Sequence, residues 1–225
     1  EKLTVIEGVR CAFMYRFVMD SLKQRMRQIV LLGSGMDCRV FRLELPPQMR
    51  FIEVDEGTVH EAKCAALEGT GARARCLVNR LAVAVHEELT AAALVDAIAP
   101  AMNSQKPALF VLDGALTTWP AAARLAALNA AAALAAPGSV IVGPAPVDDA
   151  APLLQQSGCG TVNITNSIQL SKIFRREVPQ SMAMIVAIHG QPQGPRPGGG
   201  GGGCQGKSSG GGSVGPPSRA REITF

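Results

Sequence analysis

Apolar residues along this chain follow two alternating rhythms. Short unbroken runs at 28–32, 108–112 and 139–142 read as strands buried on both faces. Residues 49–55, "MRFIEVD", alternate and read as a further strand, and 74–78 as another. Between them lie stretches with helical spacing. In 12–26, Phe13, Phe17, Met19 and Leu22 fall roughly on one face. Residues 40–45 predict a short helix that ends before Pro46-Pro47. Residues 58–68 predict a helix with Val59, Ala62, Ala66 and Leu67 inward and Gly69 past its end. Helices are also predicted over 87–99 and, in an Ala-rich segment closed by Pro137-Gly138, over 121–136. Residues 161–168 and 182–188 predict two last strands. Strands joined by helices define an α/β fold, doubly wound, with a mostly parallel sheet and helices on both faces.

The rhythm stops near residue 190. From Gln191 onward the chain is Gly, Pro and Ser, with an unbroken glycine run at 198–203. Such a segment has too little apolar surface to offset its ordering entropy. The expected organisation is therefore one domain over 1–190 and a disordered tail over 191–225. The chain has 225 residues, 47% of them hydrophobic and 18% charged, enough for one core. A net charge of +4 is mild, and only 4% of residues are aromatic. A nucleic-acid surface would need clustered Lys and Arg with aromatics interleaved, so none is expected. The stretch 121–147 contains Arg124, Asn129, Pro137 and Gly138 and is too interrupted to span a bilayer. The six cysteines, Cys11, Cys38, Cys64, Cys76, Cys159 and Cys204, form no CxxC pair and no zinc spacing with His. They read as buried free thiols, which suggests a reducing, cytoplasmic setting, and no metal site is expected. A first residue of Glu suggests a fragment or a processed chain, and no signal peptide is visible.

The chemistry starts where the first strand stops. Gly33-Ser34-Gly35 follows Leu32, and Asp37 lies just beyond. In a doubly wound sheet, ligands sit at the carboxyl ends of strands near the reversal in strand order. Glycine there allows a positive φ and a close ligand approach. Asp55 closes the next strand, where a carboxylate can accept both hydroxyls of a ribose. The order strand, GxG, helix, strand, acid suits a nucleoside cofactor, although glycines in that place also serve simply to turn the chain tightly. A dinucleotide loop would carry a third glycine where Cys38 stands. Asp37 suits a cation better than a pyrophosphate. S-adenosylmethionine, with a sulfonium, an ammonium and no phosphate, meets both conditions.

Four segments, "RQIVLLGSGMDCRVFRL", "FIEVDEGTVHEAKCAAL", "PALFVLDGALTTWP" and "LAAPGSV", resemble in order the leucine carboxyl methyltransferase family. This family of S-adenosylmethionine-dependent O-methyltransferases includes enzymes that methylate the C-terminal carboxylate of protein phosphatase 2A, and bacterial and algal relatives. The resemblance covers about residues 9–143, and the G-x-G-x-D-x-R-x-x-R-L run is its most specific part. It implies a Rossmann-like class I methyltransferase fold over 1–190 with S-adenosyl-L-methionine as cofactor. It further implies that Arg10 binds the methionine carboxylate, with Cys11 in place of the family's Thr. Gly33 and Gly35 would line the methionine and ribose, and Asp55 would hold the ribose hydroxyls. Asn79 falls where the family has an Asp that accepts from the adenine amino group. Asp113 falls where it has a Glu facing the methionine moiety, and Thr118 replaces a Tyr. The family's paired acids after Arg-Thr are Tyr15 and Arg16 here. Its long lid after the fifth strand is thinly represented in 145–181.

Three functions follow as expectations. The first is an O-methyltransferase acting on a carboxylate or hydroxyl of a small molecule or protein. The second is a degenerate cofactor-binding module of the same fold, and the third an NAD-type oxidoreductase domain. No catalytic residue is assigned. His60, His86 and His189 read as surface or half-buried histidines. Trp119 reads as a wall of an acceptor pocket or as packing, and Arg39 and Arg42 as partners of loop acids or of an acceptor carboxylate.

Overall fold

The computed structural model describes residues 2–157, 159, 161–178 and 182–188. The segment 191–225 expected to be a tail, with its Cys204, and also His189 lie outside the described residues.

Chain order among the described residues is α1 (Lys2–Lys23), β1 (Gln28–Leu32), α2 (Arg39–Arg42), β2 (Arg50–Asp55), α3 (Gly57–Leu67), β3 (Leu77–Ala82) and α4 (Ala91–Ile98). A short 3-10 turn at Ala99–Ala101 leads to β4 (Leu109–Val111), α5 (Ala115–Thr118), α6 (Ala121–Leu134), β5 (Val140–Pro146), α7 (Val147–Gln156), β6 (Thr161–Thr165), α8 (Ser167–Phe174) and β7 (Met182–Ile188). The seven strands form one sheet in the order β3-β2-β1-β4-β5-β7-β6. Strands β1 to β5 pair in parallel, and β7 runs antiparallel to both β5 and β6.

Because successive side chains point to opposite faces, each central strand feeds two cores. Val30, Leu32, Ile52 and Val54 pack with α4 and α6 through residues such as Leu94, Ile98, Ala127 and Leu128. Ile29, Leu31 and Phe51 pack with Val9, Phe13, Met14 and Phe17 of α1. Both faces are therefore covered, as the continuous apolar strands required. The order reverses at β1, which lies between β2 and β4. The crevice past the carboxyl ends of β1 and β4 is the place where such folds hold ligands.

Four expectations need correction. The third strand is Leu77–Ala82, not 74–78. It is an edge strand that is half exposed, so no continuous apolar run marks it, and its position follows from pairing Arg50 with Leu77. On α3 the buried residues are His60 and Lys63, while Ala62 and Ala66 are exposed and Val59 and Leu67 only half-buried. The cause is Glu53 of β2, fully buried beneath this helix, which needs a cation more than a methyl. His60 is accordingly not a surface histidine. The described cysteines are not fully buried: Cys11, Cys38 and Cys64 are exposed and Cys76 and Cys159 partly so. They occupy a loop or the outer sides of elements whose inner positions are already filled.

Several boundaries moved for local reasons. Helix α4 starts at Ala91 because the Thr90 hydroxyl accepts from Ala93 N at 3.2 Å, an N-cap. The segment 161–168 is not one strand. Asn166 and Gln169 form a capping box that ends β6 at Thr165 and starts α8. Trp119 is 4% exposed and packs in the core, so it walls no pocket.

Candidate cofactor site

Strand β1 delivers the chain into a loop that crosses the end of β2. The Gly33 and Ser34 amides both donate to the Val54 carbonyl, at 2.9 and 3.3 Å. The two glycines of this loop then differ. Gly33 has φ 70°, and a Cβ there would lie 2.2 Å from the Ala115 amide nitrogen and 2.5 Å from the Gly114 carbonyl carbon. Its missing side chain makes room for the β4–α5 turn, not for a ligand. Gly35 has φ 45°, and a Cβ there would meet nothing within 4 Å. The space above Gly35 is the part of the loop a ligand can use. Gly35→Ala should therefore fold, at a cost of about 1–2 kcal/mol for its left-handed backbone. Urea unfolding checks this, and a complete loss of the cooperative transition would contradict it.

The Gly35 amide donates to Asp55 Oδ2 at 2.7 Å, and the Glu56 amide donates to Asp55 Oδ1 at 2.9 Å. Asp55 is thus fixed at the end of β2. Each of its oxygens has used one acceptor direction and keeps another.

The other end of the crevice is ionic. Arg39 donates from its amide to Asp37 Oδ1 at 2.7 Å, and its Nε is ion-paired with Asp37 Oδ2 at 3.1 Å. Its Nη2 reaches Asp113 Oδ2 at 2.5 Å. Arg10, on α1, places Nε 3.2 Å from Asp113 Oδ1 and Nη2 2.6 Å from Glu7 Oε2. Helix α1 therefore carries Arg10 over the strand ends to meet Asp113, which follows β4. The contact between Arg10 Nε and Asp113 Oδ1 is close but misaligned. Both atoms are buried and neither makes a hydrogen bond. A buried unsatisfied donor and a buried unsatisfied acceptor each cost about 1–3 kcal/mol. A zwitterion satisfies both: its carboxylate accepts from Arg10 and its ammonium donates to Asp113.

Burial pushes the Asp37 carboxyl above its ordinary 3.8. Asp113 nearby adds to that, while the Arg39 charge, the Arg39 amide and Lys63 act against it. A carboxyl raised in the folded state favours folding below its unfolded value and loses that contribution as pH rises through the folded value. Ionising Asp37 therefore costs the fold free energy, and a cationic ligand relieves that cost. Such a ligand should bind more tightly as pH rises through the raised Asp37 value, releasing protons there. Calorimetry in buffers of different ionisation enthalpy measures the release. Asp37→Asn should abolish it.

The structure brings Arg10, Gly35, Asp55 and Asp113 to one crevice. It does not bring Asn79 there. Asn79 sits in mid-strand beside Ile52, three residues before Ala82, which pairs with Asp55. At about 3.3 Å per residue that is roughly 10 Å short of the strand end. Thr118 lies on α5 with its hydroxyl donating to the Gly114 carbonyl at 3.0 Å. His86 is exposed and its Nδ1 accepts from the Glu88 amide at 3.1 Å. Ser34 was missed, although its hydroxyl is buried in the loop without a partner. Among the described residues no three His, Cys, Asp or Glu side chains are grouped to hold a metal ion. No helix among them is long and apolar enough to cross a membrane.

A mostly parallel sheet with this reversal and an acid ending β2 is a Rossmann-like α/β arrangement. Solved structures agree on the fold. A DUF574 family protein from Streptomyces avermitilis aligns with TM-score 0.56 at 12% identity, over 83% of this chain and 85% of its own. A "predicted O-methyltransferase" from Agrobacterium tumefaciens aligns with TM-score 0.50 at 16% identity, over 73% and 74%. The leucine carboxyl methyltransferase family model matches residues 2–132, and the chain belongs to that family. A "Putative S-adenosyl-L-methionine-dependent methyltransferase" from Mycolicibacterium paratuberculosis is 30% identical over 132 residues, 59% of this chain and 41% of the relative. The chain thus spans about two fifths of that relative's length.

Proposed function

We propose that the crevice binds S-adenosyl-L-methionine and that the chain serves an O-methyltransferase whose acceptor is a carboxylate or hydroxyl of a small molecule or protein. The observation that carries this reading is the buried ion pair of Arg10 Nε and Asp113 Oδ1, neither atom hydrogen-bonded, at the reversal point of the sheet. They match the amino-acid end of the cofactor. Asp55 keeps acceptor capacity for a ribose, Gly35 leaves space between the two, and Asp37 offers a negative charge to a sulfonium. Asp37 would repel a pyrophosphate, which counts against a dinucleotide.

When bound, the cofactor supplies a methyl group on a positively charged sulfur. The residues of this chain hold and orient. Arg10 and Asp113 would fix the amino-acid end and Asp55 the ribose. Such alignment of reacting partners supplies as much as ~7–11 kcal/mol in favourable cases. A carboxylate acceptor is ionised at neutral pH and needs no general base. That agrees with a crevice in which Arg10, Arg39, Asp37 and Asp113 pair with one another.

Calorimetric titration of the chain with S-adenosyl-L-methionine and with NADH tests the proposal. Binding of the first alone supports it. Asp55→Ala should then weaken binding by about 1–3 kcal/mol. Binding of NADH alone would replace it with the oxidoreductase reading.

A further inference from the structure

We propose that His60 is the residue that reads the adenine base, through its Nδ1. The inference rests on the cofactor reading above and names a residue for a role that Asn79 is placed too far back to fill.

His60 is 7% exposed, one turn into α3, five residues after Asp55. Its Nε2 lies 3.1 Å from the Leu81 carbonyl oxygen. A carbonyl only accepts, so Nε2 carries a proton, and in the Nε2–H tautomer Nδ1 is a lone-pair acceptor. That Nδ1 is buried and has no hydrogen-bond partner. Leu81 pairs with Val54, one step in from the Asp55–Ala82 pair that ends both strands. The orphaned acceptor therefore sits beside the carboxyl ends of β2 and β3, within one nucleoside's reach of Asp55.

The missing partner must be a donor. A phenylalanine or leucine at position 60 would fill the space without an acceptor at the Nδ1 position, at the cost of the Leu81 contact. Of the donors on the proposed cofactor, the ribose hydroxyls go to Asp55 and the ammonium to Asp113. The 6-amino group of adenine is the donor left over. A site built around an acceptor discriminates sharply against a base that presents an oxygen there, because two acceptors then face each other.

The test compares S-adenosylhomocysteine with S-inosylhomocysteine, which differ by a 6-amino against a 6-oxo group. Calorimetry on the unsubstituted chain should show at least tenfold tighter binding of the adenine compound. In His60→Phe that ratio should collapse toward one. His60→Gln, which keeps an acceptor oxygen, should retain part of the preference. Equal affinities in the unsubstituted chain would overturn the assignment without any variant. A preference that survives His60→Phe, or a variant that weakens both compounds alike, would also overturn it. Failure of the unsubstituted chain to bind either compound would instead overturn the cofactor reading itself, and this assignment with it.

Discussion

Gly33→Ala should lower the stability of the free protein by about 2–5 kcal/mol, the largest single effect in the crevice. Two costs add. The residue holds φ 70°, a region that a Cβ disfavours by roughly 1–2 kcal/mol. The new methyl would also lie 2.2–2.8 Å from three backbone atoms of Gly114 and Ala115. Backbone cannot rotate away as a side chain can. The β1 loop and the β4–α5 turn must separate, and overpacking of this kind costs about 1–3 kcal/mol or more. Gly114 is held to glycine by the same contact, since its own Cβ would lie 2.3 Å from the Gly33 carbonyl oxygen. Denaturant unfolding measures the loss. A loss below about 1 kcal/mol would show that the two turns can slide apart.

The second large effect lies under the crevice. Lys63→Ala should cost about 3 kcal/mol by leaving Glu53 short of a counter-charge. Lys63 and Glu53 are 1% and 0% exposed, with Nζ 2.8 Å from Oε1. Arg80 Nε, 3.0 Å from Oε2, stays behind and keeps the loss at the lower end of the range for broken buried pairs. The double substitution Lys63→Met with Glu53→Leu removes both buried charges and fills the volume. It should be close to neutral, because desolvating the pair offsets most of its attraction. Thermal and urea unfolding of the single and double variants decide between a charge effect and a packing effect. A double variant as unstable as the single one would point to packing.

That buried pair also explains where sequence reading stopped. Strands buried on both faces are legible as such: residues 28–32 and 182–188 were read with the bounds they have. An edge strand carries no such mark. "LVNRLA" has polar residues in its middle, so β3 was placed three residues early. The inward face of α3 was misread because apolar spacing assumes an apolar sheet beneath. Glu53 inverts that rule and draws Lys63 inward. The crevice was legible in part. GxG after a buried run and an acid ending the next strand both announce a ligand end of the sheet. The division of labour between Gly33 and Gly35 was not, since it depends on a turn some eighty residues later in the chain, at Gly114. Arg10 came from family resemblance alone. Nothing in its local pattern says that α1 lies over the strand ends.

The measurement that bears most directly on the proposed site compares Arg10→Lys with the unsubstituted chain, using S-adenosyl-L-methionine and adenosine as separate ligands. A guanidinium can hold a carboxylate by two parallel hydrogen bonds, and an ammonium cannot reproduce that fork. Arg10→Lys should bind the cofactor at least tenfold more weakly, about 1.4 kcal/mol. Adenosine, which has no carboxylate, should bind both forms alike, and the melting temperature should hardly move. Equal losses for the two ligands, or no loss for either, would contradict the assignment of Arg10 and Asp113 to the amino-acid end of the cofactor.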